Sequence, residues 1–284
     1  MSNVDIHRWS LPSQQVGEFS ITAISDGYLG ASLDFLANIA PTEAVRMQLA
    51  AGISEPASIH INCYLVRGRG QTILIDAGAG GFNQWGGELL ANLALAGVQP
   101  GDIDTILLTH AHPDHIGGLL NAAGEMTFDN AELVVHEREL MFWEDDGHLG
   151  QASERGRGNF LFARRVFERY RQNLRPFTAN DVLPGINAMP LPGHTVGHCG
   201  YCFESAAGGL LVWGDIVHFP QIQIARPDVT IAFDQDPLLS AATRTRLLDI
   251  ASTDNLMVAG MHLGALGFAR IKHSSNSYAI AYET

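Results

Sequence analysis

One short segment, residues 109–118, carries an unusual density of side chains that can bind a metal ion. It reads Thr-His-Ala-His-Pro-Asp-His-Ile-Gly-Gly, so three histidines and one aspartate fall between His110 and His115. Because histidine is seldom fully buried and aspartate is almost never buried without a partner, packing does not explain this set. Neutral imidazoles and carboxylates are the ligands that Zn²⁺ and similar ions prefer. The segment predicts four metal ligands, His110, His112, Asp114 and His115.

Further ligands must come from elsewhere, since one loop of this length cannot enclose two metal ions. Three residues have a suitable context: His194 lies in the glycine-rich turn LPGHTVGH, Asp215 ends the apolar run GLLVWG, and His262 ends AGMH. A single histidine after a strand is more often structural. Three suitable residues at three strand ends or turns favour a shared cluster.

The surrounding pattern predicts the strands and helices that would position these residues. A short apolar strand, Thr105–Leu108, leads directly into the ligand-rich segment, and an edge strand, Phe19–Ser25, is expected to end at Asp26-Gly27. Strand-then-aspartate segments end at Asp76 and at Asp215, an arrangement typical of layered α/β folds whose functional loops follow strand ends. Other expected strands are His60–Arg67, Thr72–Asp76, Glu132–His136, Gly209–Trp213 and Leu256–Val258, and expected helices are Pro41–Ala51, Glu88–Leu95, Arg138–Trp143, Phe160–Leu174 and Ser240–Ala251.

Composition and charge limit the classes of protein to consider. The 284 residues are 46% hydrophobic and no linker-like run divides them, so we expect one domain, 1–284, with an N-terminal arm at about 1–18 and helical insertions at about 35–55 and 137–178. The net charge of -13 argues against nucleic acid as a partner. No apolar run reaches the roughly 20 residues that span a membrane, and the N-terminus does not resemble a signal peptide. A cytoplasmic protein without a membrane partner is expected.

The strings THAHPDHIGG, PGHTVGH, GDIVH and AGMH together resemble the metallo-β-lactamase superfamily. The likeness runs from about Phe19 to Arg270, and the ligand spacing is similar to the methyl parathion hydrolase branch and the acyl-homoserine lactonases. The resemblance implies an αββα sandwich with two mixed sheets flanked by helices. It also implies that His110, His112 and His194 hold one metal ion, and that Asp114, His115 and His262 hold the other.

Asp215 would bridge the two ions together with a hydroxide that acts as the nucleophile, so Asp114 and Asp215 are expected to be catalytic. Zinc is the first expectation for both ions, although Mn, Fe and Co use overlapping ligands. Outside the ligands, Asp76 is expected to orient a ligand histidine and His198 to donate to nearby backbone. His218 is either a third catalytic residue or a side chain that packs beside Phe219.

Aromatic residues are expected to shape the substrate pocket, although core packing is an equally good reading for about half of them. They are Phe82, Trp85, Phe142, Trp143 and Phe160. An apolar mouth of this kind favours a small molecule with hydrophobic parts.

The predicted function is hydrolysis of a small ester-like bond in a lactone, a carboxylic ester or an organophosphate triester. The open alternatives are an oxidoreductase or thioesterase of the same fold and a catalytically silent metal-binding protein. A histidine at position 112 favours hydrolysis over di-iron oxidoreductases of this fold, which the resemblance expects to have glutamate there. A homodimer is expected from the resemblance alone.

Overall fold

The structure, a computed structural model, describes residues 11–205, 208–275 and 277–283. The strands are β1 (Ser13–Val16), β2 (Phe19–Gly30), β3 (Leu36–Ala37), β4 (Ser58–Gly68), β5 (Gln71–Ile75), β6 (Thr105–Leu107), β7 (Glu132–His136), β8 (Leu174–Phe177), β9 (Asp181–Leu183), β10 (Ile186–Pro190), β11 (Cys199–Ser205), β12 (Gly208–Val212), β13 (Thr230–Ile231), β14 (Met257–Ala259), β15 (Phe268–Ser274) and β16 (Ser277–Tyr282). The helices are α1 (Pro41–Ala50), α2 (Leu89–Leu95), α3 (Pro113–Ile116), α4 (Glu137–Glu144), α5 (Asp146–Gln151), α6 (Glu154–Tyr170), α7 (Pro220–Gln223) and α8 (Pro237–Thr253).

Most of the described strands form two mixed sheets of seven strands each, in the orders β1-β2-β4-β5-β6-β7-β8 and β16-β15-β14-β12-β11-β10-β9. In the first sheet β5 to β8 run parallel, and in the second only β12 and β14 do among the described pairs. The remaining pair, β3 with β13, forms a small antiparallel ribbon. The two-sheet arrangement confirms the predicted fold class.

The sheets pack face to face, and helices cover their outer faces. Tyr64 from the first sheet and Phe268 from the second share the central apolar layer, where large buried side chains each contribute about 1.5–3 kcal/mol. Apolar residues of α2, α4 and α6, for example Phe167, pack on the first sheet, and Leu247 of α8 packs on the second. The layers are therefore helix, sheet, sheet and helix.

Two predictions at the N-terminal side are corrected by the structure. Phe19–Ser25 is not an edge strand, because β1 pairs along its outer side, and β1 is mostly polar and gives little strand signal. The strand also does not end at Asp26-Gly27 but continues to Gly30 through an irregularity in its pairing with β4. The Asp26 carboxylate is buried there and accepts hydrogen bonds from the backbone N–H of Ala79, Gly80, Gly87 and Leu89.

The predicted helix Phe160–Leu174 has different bounds in the structure. It begins at Glu154, where Ser153 accepts a hydrogen bond from the Gly156 N–H, and it ends at Tyr170, so that Leu174 opens β8. Glycines at 156 and 158 hide this start in the sequence, since glycine is a poor helix former. The predicted insertions contain α1 and α4 to α6, and the described part of the predicted arm contains β1.

No helix in the described ranges combines the length and the apolar character needed to cross a membrane.

Candidate metal centre

Loops that follow four strands bring the seven predicted ligands together. His110 to His115 follow β6, His194 follows β10, Asp215 follows β12, and His262 follows β14. The ligand loop after β6 packs tightly on the loop after β5, which Gly117 makes possible. A Cβ atom at Gly117 would lie 2.0 Å from the Ala79 carbonyl oxygen, so glycine is required for this close approach.

A first group consists of three buried histidines whose ring nitrogens converge. His112 Nδ1 lies 3.0 Å from His110 Nε2 and 2.9 Å from His194 Nε2. Burial, reinforced by neighbouring histidines, holds the pKa of His110 and of His112 well below the usual value. Both rings are therefore neutral at physiological pH, which is the form that binds a cation.

A second group consists of Asp114, His115, Asp215 and His262, whose ligand atoms all lie within 4.8 Å of one another. The Asp215 Oδ2 atom is 3.2 Å from His115 Nε2 and 3.3 Å from His262 Nε2. The same oxygen is 3.4 Å from His194 Nε2, which belongs to the first group. Asp215 therefore touches both groups.

The side chains fit two divalent cations by their chemistry as well as by their position. Three nitrogens that converge at about hydrogen-bond distance cannot all be satisfied by protons, whereas one cation accepts all three lone pairs. His115 Nε2 and Asp215 Oδ1 are buried and have no hydrogen-bond partner among the described residues. Because buried polar atoms are normally paired, these two atoms are suited to bind a cation.

Carboxylates behind the ligands orient two of the histidines. Asp76 Oδ2 is 2.7 Å from His115 Nδ1, and Asp234 Oδ1 is 2.9 Å from His194 Nδ1. Each carboxylate accepts the Nδ1 proton, so the Nε2 lone pair faces the centre. Asp234 is itself held close to the buried guanidinium of Arg244, whose nitrogen lies 3.9 Å from its other oxygen.

His198 lies behind the centre and has no place in either group. Its Nδ1 atom is 2.7 Å from the Leu191 carbonyl oxygen, to which it donates, and its Nε2 atom accepts a hydrogen bond from the Asp215 N–H at 3.0 Å. Burial lowers the pKa of His198 to about 3, so the ring stays neutral and can both donate and accept. It fixes the backbone of Asp215 in this way.

A buried glutamate that the sequence analysis missed connects the two histidine loops. Glu139 of α4 is fully buried, and its Oε1 accepts from the Ala111 N–H at 2.9 Å and from Trp143 Nε1 at 2.7 Å. Its Oε2 accepts from the Thr195 hydroxyl at 2.6 Å and from the Gly197 N–H at 3.1 Å. One carboxylate thus holds the loop of His110 and His112 beside the turn of His194.

Two signals in the sequence could have indicated such residues. Glu139 stands four residues before Trp143, on the helix face that carries apolar side chains, so its burial was open to prediction. Asp234 directly follows the apolar run IAF at 231–233, which indicates a partly buried position. Neither signal indicates which loop the carboxylate of Glu139 or Asp234 would contact.

A cavity of about 550 Å³ opens in front of the two groups. Phe82 and Trp85, which were predicted to line the pocket, line this cavity. Phe35 and Phe233, which were not predicted, line it as well. Asp114, Asp215 and His218 also face this space. The walls are therefore largely aromatic, with the metal-binding groups at one end.

The other three predicted pocket aromatics lie elsewhere. Phe142, Trp143 and Phe160 line an adjoining cavity of about 430 Å³, which shares His112 and Phe233 with the first one. Trp143 is 2% exposed and Phe160 is 4% exposed, because both rings pack between α4 and α6. Their main contribution is to the core, and the structure does not bring them to the cavity of Asp215.

His218 is buried beside the centre. Its Nε2 atom is 3.2 Å from Asp215 Oδ2, and its ring is stacked on His262 at 5.2 Å. Burial lowers the pKa of His218 to about 4, so the ring is neutral at pH 7. It faces the cavity, and Phe219 points into a separate apolar cluster.

Comparison with known proteins is consistent with this geometry. A curated relative, the uncharacterized protein YobT of Bacillus subtilis (strain 168), is 32% identical over 160 residues, which are 56% of this chain and 63% of that protein. The crystal structure of the hydrolase AbOPH in the beta lactamase superfamily matches with a TM-score of 0.89 at 28% identity, over 96% of this chain and 97% of that one.

A second solved structure, AidC, described as a dizinc quorum-quenching lactonase in complex with a product, matches with a TM-score of 0.89 at 25% identity. The match covers 97% of this chain and 98% of that one. The family model of the metallo-beta-lactamase superfamily matches residues 59–262, which contain all seven predicted ligands. The chain therefore belongs to the metallo-β-lactamase superfamily.

Proposed function

We propose that the chain is a binuclear metal-dependent hydrolase that cleaves a small ester-like bond in a lactone, a carboxylic ester or an organophosphate triester. One observation carries the proposal. The Asp215 Oδ2 atom lies 3.2 Å from His115 Nε2 and 3.4 Å from His194 Nε2, so one carboxylate oxygen contacts both ligand groups. A carboxylate in this position can bridge two neighbouring cations.

Different residues of the chain would have different roles at such a centre. When bound, two divalent ions would supply Lewis-acid polarisation of the substrate oxygen and a water acidic enough to ionise near neutral pH. Asp76 and Asp234 hold His115 and His194 in the tautomer that offers Nε2 to the centre. Phe82, Trp85 and other aromatic walls exclude bulk water from the substrate, which strengthens electrostatic interactions there.

The comparisons rank the candidate substrates. AidC is a lactonase by its description and resembles this chain over nearly its whole length. A lactone is therefore our first candidate, and an acyl-homoserine lactone is the specific compound we would try first. An aryl phosphotriester is the second, because the ligand spacing is also similar to the methyl parathion hydrolase branch. The aromatic residues of the cavity wall suit the hydrophobic parts of both classes and favour neither.

A substrate panel tests the proposal. Enzyme reconstituted separately with Zn, Mn, Fe or Co would be assayed on lactones, aryl esters and aryl phosphotriesters, and we expect turnover of at least one lactone. Activity that is lost with a chelator and restored by the metal would support the mechanism. Turnover of a phosphodiester or thioester, with none of the three proposed classes, would place the chain in another branch of the superfamily.

His218 is expected to assist the leaving group, since it lies beside Asp215 and faces the cavity. A neutral imidazole there can donate a hydrogen bond to the departing oxygen, and help of this general acid kind is worth about 10²–10⁴-fold for poor leaving groups. His218→Phe should therefore reduce kcat for an aliphatic lactone much more than for a nitrophenyl ester. Equal losses on both substrates would leave His218 with a packing role only.

A further inference from the structure

We propose that Arg155 determines specificity by binding a second oxygen acceptor of the substrate, a carboxylate or an amide carbonyl, that lies away from the scissile bond. The inference rests on the proposed function and adds a substrate class to it. Arg155 lies in the first turn of α6 and lines the cavity in front of the metal centre. It also lines the adjoining cavity, so it stands where the two meet.

The exposed guanidinium of Arg155 stacks on an aromatic ring and has no polar partner among the described residues. It lies 4.5 Å from the centre of the Phe233 ring, over its face. The ring of Phe233 is in turn 6.0 Å from the ring of His218, so one aromatic residue separates the cation from the metal centre. No hydrogen bond or ion pair joins the guanidinium of Arg155 to any other described residue, which leaves its five N–H donors available to a ligand.

Two other arginines of the same helix have polar partners for their side chains. Arg164 donates to the Trp143 carbonyl oxygen and to Asp146, and Arg169 is 3.7 Å from Glu125. Arg155 differs from these two, because its guanidinium stacks on a residue of the cavity wall. Partial burial lowers the pKa of the Arg155 guanidinium, and no neighbouring carboxylate raises that pKa again.

The local sequence leaves room for a ligand beside this cation. Asn159 is one helical turn further along on the same face and lines both cavities, as Arg155 does. Between them Gly158 faces the metal-centre cavity, and a Cβ atom there would meet nothing within 4 Å. The helix therefore presents one guanidinium and one amide, with open space between them.

The charges of the cavity favour an oxygen acceptor at this place. Apart from Asp114 and Asp215, which belong to the metal-binding groups, Arg155 is the charged residue among the described lining. A planar guanidinium forms paired hydrogen bonds with carboxylates and is a strong partner for oxygen acceptors. A purely hydrocarbon substrate would leave these donors without a partner.

Binding of product-like ligands tests the assignment without requiring turnover. Calorimetry on the metal-loaded protein would compare monocarboxylates of five to eight carbons with dicarboxylates and N-acylglycines of similar length. Each ligand has one carboxylate for the metals, and only the latter two have a second acceptor. Arg155→Ala is expected to weaken the ligands with a second acceptor by about 10–100-fold, and to change the monocarboxylates less than about twofold.

Matched variants and substrates make the outcome decisive. Arg157→Ala is the control, because Arg157 is on the same helix and its exposed side chain hydrogen-bonds only the Gly150 carbonyl oxygen among the described residues. A loss confined to the dicarboxylates would identify an anionic acceptor, and a loss confined to the N-acylglycines would identify an amide. Equal losses for all ligands, no loss, or no preference of the wild type for a second acceptor would overturn the assignment.

The failure of this assignment can be distinguished from the failure of the proposed function. Nitrophenyl esters with and without a second acceptor would be assayed in parallel. If the wild type hydrolyses them and Arg155→Ala affects all equally, hydrolysis stands and the role of Arg155 is wrong. If no ester, lactone or phosphotriester is turned over, the proposed function fails and the binding data alone decide about Arg155.

Discussion

Replacing Asp215 by alanine is expected to abolish hydrolysis while leaving the fold in place. The carboxylate contacts histidines of both ligand groups, so its loss removes the ligand that the two cations would share. Removing an outer partner of a metal ligand typically costs about 10–100-fold in affinity or activity, and removal of the shared ligand should cost more. We expect kcat/KM for the best substrate of the panel to fall to the detection limit.

The fold should survive because Asp215 lies in a loop after β12 and one of its oxygens has no hydrogen bond to lose among the described residues. Circular dichroism and thermal unfolding of the metal-free protein would verify this. Asp181→Ala, at an exposed position of β9, is the control and should retain full activity. Substantial turnover by a folded Asp215→Ala variant would contradict the proposed mechanism.

Replacing Glu139 by glutamine is expected to weaken metal binding by about 10–100-fold. The carboxylate accepts four hydrogen bonds, two on each oxygen, and glutamine has only one acceptor oxygen. At least two buried donors would lose their partner, at about 1–3 kcal/mol each. The loops of His112 and His194 would then no longer be held at the spacing that a cation needs.

Competition with a chromophoric chelator would measure the affinity directly. Glu137→Gln is the matched control, since Glu137 is on the same helix and exposed, and its affinity should equal that of the wild type. A stability loss alone would reduce the folded fraction without changing the affinity of the folded protein. Unchanged metal affinity in a folded Glu139→Gln variant would show that Glu139 stabilises the helix and does not position the ligands.

The clustering of the candidate ligands was predictable from sequence, because the chemistry of the first four is dense and local. Four of them stand within six residues, after a strand whose apolar character marks it as buried, and no other role accounts for that combination. Their context at turns and strand ends indicated the distant residues His194, Asp215 and His262, and the family resemblance divided the seven residues between two ions. The two mixed sheets could be predicted from the family resemblance.

The carboxylates behind the ligands and the true pocket walls were harder to predict. Glu139 acts through backbone N–H groups of two loops that are distant in sequence, and no local pattern indicates such a contact. Arg155 lies in a helix whose start is obscured by glycines, and Phe233 lies in a segment with little regular structure. Their roles depend on how α6 packs against the second half of the chain, which periodicity does not specify.

The most direct test of the account is the number of metal ions that each chain binds. Protein expressed with abundant Zn, Mn, Fe or Co and freed of loosely bound metal would be analysed for its elements and for protein concentration. Seven converging ligand residues, with Asp215 shared between two groups, predict two equivalents of metal per chain, and Asp215→Ala should retain fewer. At most one equivalent in the metal-replete wild type would contradict the binuclear centre.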